Sequence, residues 1–295
     1  MIKKIAVFSC AAFLITCSNN TSDKSSAAST AKDTVKKTAG QPENELADFK
    51  FHTLVINIPS PFEIITLLPK SGVPFKGDLV NTTNNADKYT TSTKKALNYG
   101  SYIVDLVYLS SNERFSEVKN YFKISRTLAQ SLDFVKTFDN IAGPARLEKN
   151  IDKKDTINKV IDEIYTQMDG YLRSNDRLLT ATQILAGSWI ESQYIAVSLL
   201  QDQTKNKENA ILFQKVSEAG YSLDKLVQLL KEFENEKDFK RVIESLNKLS
   251  AIYKEYKINK GLYKDDKSEV VDKQFLTKLY IMLGDARNNV VDITL

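Results

Sequence analysis

Cysteine is nearly missing from this chain. Its 295 residues include two, Cys10 and Cys17, and both fall within the first seventeen positions. The body therefore has no thiol for a disulfide or a thiolate metal site. Histidine is scarcer still: His52 stands alone with no HExxH or comparable spacing, which excludes a His-rich zinc site or a facial triad and leaves a surface or turn role. Charge of one sign is also lacking. Lys and Arg number 41 against 37 for Asp and Glu, a net of +4 that drops to +2 if Lys3 and Lys4 leave with residues 1–16. That is too little to argue for nucleic acid, and the mixed charges around Glu232–Lys240 read as solvated helix faces. No segment has 18 uninterrupted apolar residues, so no mature membrane-spanning helix is expected. GxSxG, GxxxxGK[ST] and GxGxxG do not occur either, which removes support for α/β-hydrolase, P-loop and Rossmann readings. Neither a cofactor nor a catalytic residue is expected.

What the sequence does contain begins at the amino terminus. Lys3 and Lys4 precede an apolar stretch, Ile5 to Ile15, that is too short to span a bilayer and reads as a signal peptide over residues 1–16. It ends in Leu14-Ile15-Thr16-Cys17, which resembles the lipobox of bacterial lipoproteins; Thr16 stands where that pattern has Gly, Ala or Ser. The resemblance implies lipidation of Cys17, with an ordinary secretory peptide cleaved elsewhere as the alternative. Ser18 to about Gly40 is mainly Ser, Thr, Ala, Asn and Lys, with Asp23, Asp33 and a single Val, too polar to offset its ordering entropy, so residues 17–44 are expected to form an anchor and tether. A chain of roughly 25 such residues reaches on the order of 25 to 30 Å.

Residues 45–295 read as an all-α domain, either an irregular multi-helix bundle or a short solenoid of stacked helical hairpins, with 203–222 as the candidate point of subdivision. Thr53–Ile58 has the composition of a short strand. It runs into Pro59-Ser60-Pro61, where Ser60 is placed to cap a helix to about Leu68 and Glu63 to complete a capping box. Residues 69–83 form a long polar connection, a lid or a simple loop, in which Asn81, Asn84, Asn85 and Asp87 read as solvated, without the spacing of a calcium loop. Helical patterns follow at 90–110, 112–131, 133–148, 153–173, 176–202, 206–219, 223–234, 237–257 and 268–291. Gly220 and Ser222 suggest a stop and a new cap. Leu178 to Leu200 is apolar on several faces and is expected at the centre, with the small residues Ala186, Gly187 and Ser188 admitting a close neighbour.

Ser60-Pro61-Phe62-Glu63, Ala96-Leu97-Asn98-Tyr99-Gly100-Ser101-Tyr102-Ile103-Val104-Asp105-Leu106, Asn150-Ile151-Asp152-Lys153-Lys154-Asp155 and Gly187-Ser188-Trp189-Ile190-Glu191-Ser192-Gln193-Tyr194 together resemble a family of uncharacterised helical envelope proteins of Bacteroidota, many of them lipoproteins. The resemblance implies compartment and helical architecture, and no activity.

Asp105 and Glu191 sit among apolar neighbours, so both are expected on buried helices, in a polar network with Tyr102 and Tyr194. The preferred reading is a non-enzymatic interaction or accessory protein of the outer membrane, anchored through Cys17, with an envelope protein as partner and no nucleic acid. Phe75, Tyr99 and Tyr121 are its candidate contact surface. The alternatives are a small-molecule or glycan-binding lipoprotein with a cavity lined by tyrosines and Trp189, and a hydrolase using Asp105 and Glu191. The hydrolase requires the two carboxyls to be close together and open to solvent. Surface-exported lipoproteins of this group carry acids directly after the lipidated Cys; here Ser18-Asn19-Asn20-Thr21-Ser22 precedes Asp23, which points to the periplasmic face.

Overall fold

Steps of three and four between apolar positions make helices here, and the computed structural model shows where they end. It describes residues 58–142, 146, 149–150, 153–259 and 273–292. Cys17, the signal peptide, the tether, His52 and all of the expected strand but Ile58 lie outside the described residues. Those that are described belong to one unit, contain no strand, and fold as a multi-helix bundle. The helices are α1 (Phe62–Leu67), α2 (Ser92–Ser111), α3 (Phe115–Ser131), α4 (Val135–Ala142), α5 (Lys154–Ser174), α6 (Leu178–Leu200), α7 (Ala210–Leu230), α8 (Lys240–Asn259) and α9 (Lys273–Val291).

The centre is the α2–α6 pair. Every residue from Ala96 to Ser111 of α2 is buried, and α6 is buried almost throughout. Two glycines explain how closely they approach. A Cβ on Gly100 would lie 2.2 Å from the carbonyl oxygen of Ile184, and one on Gly187 would lie 2.0 Å from that of Leu97, so each helix presses its bare backbone against the other. On one side α3, α4 and α5 complete a bundle with this pair; on the other, α7, α8 and α9 do the same, with α9 returning to touch both α6 and α2. That return contact makes the fold a bundle, since a solenoid repeat touches only its sequence neighbours.

Three of the turns share one solution. Glu113, Asp133 and Asp176 each adopt positive φ (60°, 59° and 56°) just past the ends of α2, α3 and α5. After each, a backbone N–H reaches back to the third residue from the helix end: Arg114 to Leu109 at 2.9 Å, Phe134 to Ala129 at 3.0 Å and Arg177 to Leu172 at 2.8 Å. These are Schellman motifs, with an acidic residue where glycine is usual. The start of α2 is capped by Thr91, whose hydroxyl accepts from the Lys94 N–H at 3.1 Å. Lys94 in turn donates its ammonium to the carbonyls of Asn289 (2.9 Å) and Asp292 (2.8 Å), at the C-terminal end of α9.

Two local expectations are corrected. Ser60 does accept from the Phe62 N–H at 3.3 Å, but Glu63 turns outward to Lys215 at 2.7 Å and completes no capping box. Gly220 does not end a helix: α7 runs through it, and its missing side chain admits the Tyr253 ring, which a Cβ would meet at 2.7 Å.

Candidate functional site

The glycine contact between α2 and α6 sets the position of the two acids. Asp105 lies five residues beyond Gly100 on α2, and Glu191 four beyond Gly187 on α6, so the close approach puts the two acids into one buried electrostatic neighbourhood. Both residues are 0% exposed. Arg287 of α9 closes the group: its Nε lies 2.9 Å from each carboxylate oxygen of Glu191, and its Nη2 lies 2.9 Å from Oε1. Asp105 Oδ2 accepts from the backbone N–H of Asn81 at 3.0 Å, whereas no N–H or hydroxyl is directed at Oδ1.

Burial and the neighbouring Glu191 push the Asp105 carboxyl well above the usual range, against the opposing pull of Arg287 and the Asn81 amide. Burial and the neighbouring acid thus favour the neutral form of Asp105.

A segment from Lys76 to Tyr89 is strapped over this group. Asn81, 2% exposed, is its hub. Its carbonyl accepts from the Tyr121 hydroxyl at 2.7 Å, and its side-chain amide donates to Tyr89 Oη (3.1 Å) and Asn98 Oδ1 (3.0 Å). Tyr102 donates to the Thr82 carbonyl at 2.7 Å and Arg287 to the Leu79 carbonyl at 2.9 Å. The polar connection of residues 69–83, read from sequence as a lid or loop with Asn81 in solvent, is thus a clasp that supplies buried backbone with partners. Burial raises the hydroxyls of Tyr89, Tyr102 and Tyr121, so all three act as neutral donors.

Sequence reasoning placed Asp105, Glu191 and Tyr102 in one region, and the structure brings all three together, though Tyr102 serves the strap and not the acids. Tyr194 lies at the edge, with the Arg287 guanidinium 4.6 Å from its ring centre. Arg287 and Asn81 were missed. Arg287 had a signal: it follows Leu276, Leu279 and Leu283 at helical spacing and precedes Val290, on the buried stripe of α9.

The expected contact surface is corrected. Tyr99 is 0% exposed and meets Phe134 edge-on at 5.0 Å, and Tyr121 is buried with its hydroxyl on Asn81. Phe75 is half-buried, stacked on Tyr108 at 5.1 Å with Arg114 across its ring. These aromatics hold the strap and the core, and leave little face for a partner. The tyrosine-lined cavity is corrected as well. Trp189 donates its Nε1–H to Ser222 at 3.0 Å beside a pocket of ≈ 60 Å³ that no tyrosine lines.

Chemically, the sealed acids can fix helix register but cannot meet a substrate, which removes the carboxylate-pair hydrolase. Among the described residues no three His, Cys, Asp or Glu side chains are placed to hold a metal ion. Compared with known proteins, the chain matches no family model, no curated protein and no solved structure.

Proposed function

We propose that this protein is a non-enzymatic interaction or accessory component of the bacterial outer membrane, tethered through a lipid on Cys17 and facing the periplasm. The observation that carries the reading is the commitment of its reactive-looking groups. Asp105, Glu191 and Arg287 are closed on one another and on the strap, which is the economy of a rigid scaffold. Among the described residues no helix is long and apolar enough to cross a membrane, so a lipid is the means of attachment in this reading. The contact surface moves from Tyr99 and Tyr121 to α9, where Tyr280 (41% exposed) and Ile281 (56%) stand adjacent in solvent. Exposed aromatic and aliphatic side chains on a rigid helix are suited to anchoring a partner.

The test is mild detergent extraction of the tagged native protein, with the copurifying proteins identified and their ratios measured. A stoichiometric partner that is lost in Tyr280→Ala/Ile281→Ser, with the fold intact, is the expected result. Recovery of the folded protein alone overturns it. Cys17→Ser is expected to move the protein out of the membrane fraction.

A further inference from the structure

Asp105, Glu191 and Arg287 are enclosed by two kinds of structure. The helices α2, α6 and α9 carry the three side chains and pack against one another through the core. The strap from Lys76 to Tyr89 is held differently. Among the described residues, every hydrogen bond from its backbone to the helices is made with a side chain. The Lys76 N–H donates to the Tyr108 hydroxyl at 3.0 Å and the Asn81 N–H to Asp105, while the carbonyls of Leu79, Asn81 and Thr82 accept from Arg287, Tyr121 and Tyr102. Its buried apolar side chains are Leu79 and Tyr89, and residues 82–84 are exposed. A segment attached in this way can open by itself, whereas α2 or α6 cannot move without the core.

The strap covers an acid whose charge the closed site does not balance. Asp105 Oδ2 has the Asn81 N–H and Oδ1 has no donor, so an Asp105 carboxylate finds one hydrogen bond there. Glu191 already occupies two guanidinium nitrogens of Arg287. With Asp105 ionised, two carboxylates and one guanidinium leave a net charge of −1 shut away from water, which burial penalises steeply. The other groups facing the acids do not offset it. Burial raises the hydroxyls of Tyr102 and Tyr108 on α2, Tyr121 on α3 and Tyr89 on the strap, so they keep their protons. Against its own burial, Arg287 is kept charged by the Glu191 pair. Asp78 stands on the exposed side of the strap and moves with it.

We infer that the segment from Lys76 to Tyr89 is a proton-held clasp, shut over Asp105 and Glu191 while Asp105 is neutral and released when Asp105 ionises. Opening the strap is the smallest movement that brings water to the acids. Burial and Glu191 hold the Asp105 pKa well above the ordinary value in the closed state, and hydration in the open state returns it toward about 3.9. The closed state therefore binds the proton more tightly. The fraction open is lowest below the open-state value, climbs with pH between the two values by up to about tenfold per unit, and levels off above the closed-state value. Release uncovers a polar stripe of α2, Asn98, Tyr102 and Asp105, at helical spacing and hidden in the closed bundle. The inference rests on the strap and its fastenings, and not on the anchor, the partner or the α9 surface.

Hydrogen–deuterium exchange of the full-length protein, read by mass spectrometry from pH 4 to 9 with and without low urea, tests it. The reporters are peptides covering the strap and, for comparison, peptides from α6, whose exchange requires the bundle itself to open. Native protein and Asp105→Asn are compared at each pH, so that the intrinsic chemistry of identical peptides cancels. The native-to-variant ratio for the strap should climb with pH by about tenfold or more in total. Strap peptides should also exchange about tenfold or more faster than those of α6, and respond little to urea that accelerates α6. A strap ratio that stays flat with pH overturns the inference, and so does a strap that exchanges at the rate and with the urea response of α6. Where Asp105→Asn does not fold, the native protein decides alone: strap protection, corrected for intrinsic exchange, must fall as pH rises.

Discussion

Arg287 and Glu191, 96 residues apart in sequence, meet through two guanidinium nitrogens at 2.9 Å, with the carboxylate wholly buried. The ion pair joins α9 to the central pair, and through the Leu79 carbonyl the same guanidinium joins it to the strap. Removing one partner leaves a buried charge without compensation, so Arg287→Met should cost about 3–5 kcal/mol, whereas the double change Arg287→Met/Glu191→Gln should cost clearly less than the sum of the single changes. Urea denaturation of the four proteins in the cycle measures the coupling; simple additivity would contradict the arrangement.

Asp105 should make stability depend on pH. Its folded-state pKa is raised above the unfolded value of about 3.9, so folding takes up a proton between the two. Its contribution is fully present below the unfolded value and is lost as pH rises through the folded one, with a slope of at most about 1.4 kcal/mol per unit. Asp105→Asn mimics the neutral acid: its oxygen can accept from Asn81, and it places no charge beside Glu191. Thermal unfolding across pH 4–9 should show the variant gaining on the native protein as pH rises. A pH-independent difference would place the proton elsewhere.

The glycine contacts should be the least tolerant positions in the bundle. Ala at 100 or 187 drives a methyl into backbone carbonyl oxygens that cannot rotate away, and the loss should reach or exceed the upper end of the ~1–3 kcal/mol typical of overpacking. Gly170, inside α5 with nothing within 4 Å of a built Cβ, is the control: Gly170→Ala should stabilise by roughly 0.5–1 kcal/mol. Melting temperatures of the three variants should fall on opposite sides of the native value.

The acidic residue at positive φ in each shared turn carries a modest strain. Asp176→Gly relieves it while loosening the unfolded chain, and the net effect should be a gain of less than about 1 kcal/mol, whereas Asp176→Val at the same φ should lose more than that. The comparison of chemical denaturation midpoints checks the turn geometry directly.

Most helices were legible because their information is local. The apolar rows of α5 and α8 recur every three to four residues and α6 is apolar on several faces, so their extents can be read without knowing what they pack against. Gly220 misled for the same reason: a glycine followed two residues later by serine has the local form of a helix end, and only the Tyr253 ring from α8 shows that the gap serves packing.

The sequence by itself determined the helical class, the central place of α6 and the burial of Asp105 and Glu191, since each depends on which residues neighbour which along the chain. Tertiary structure alone decided that Arg287 would neutralise the acids, that the polar stretch around Asn81 would be pulled inside as a clasp, and that Tyr99 and Tyr121 would leave the surface. Those outcomes depend on hydrogen bonds and charges exchanged between segments tens to hundreds of residues apart, and a buried polar group takes its partner from whatever the packing brings within reach.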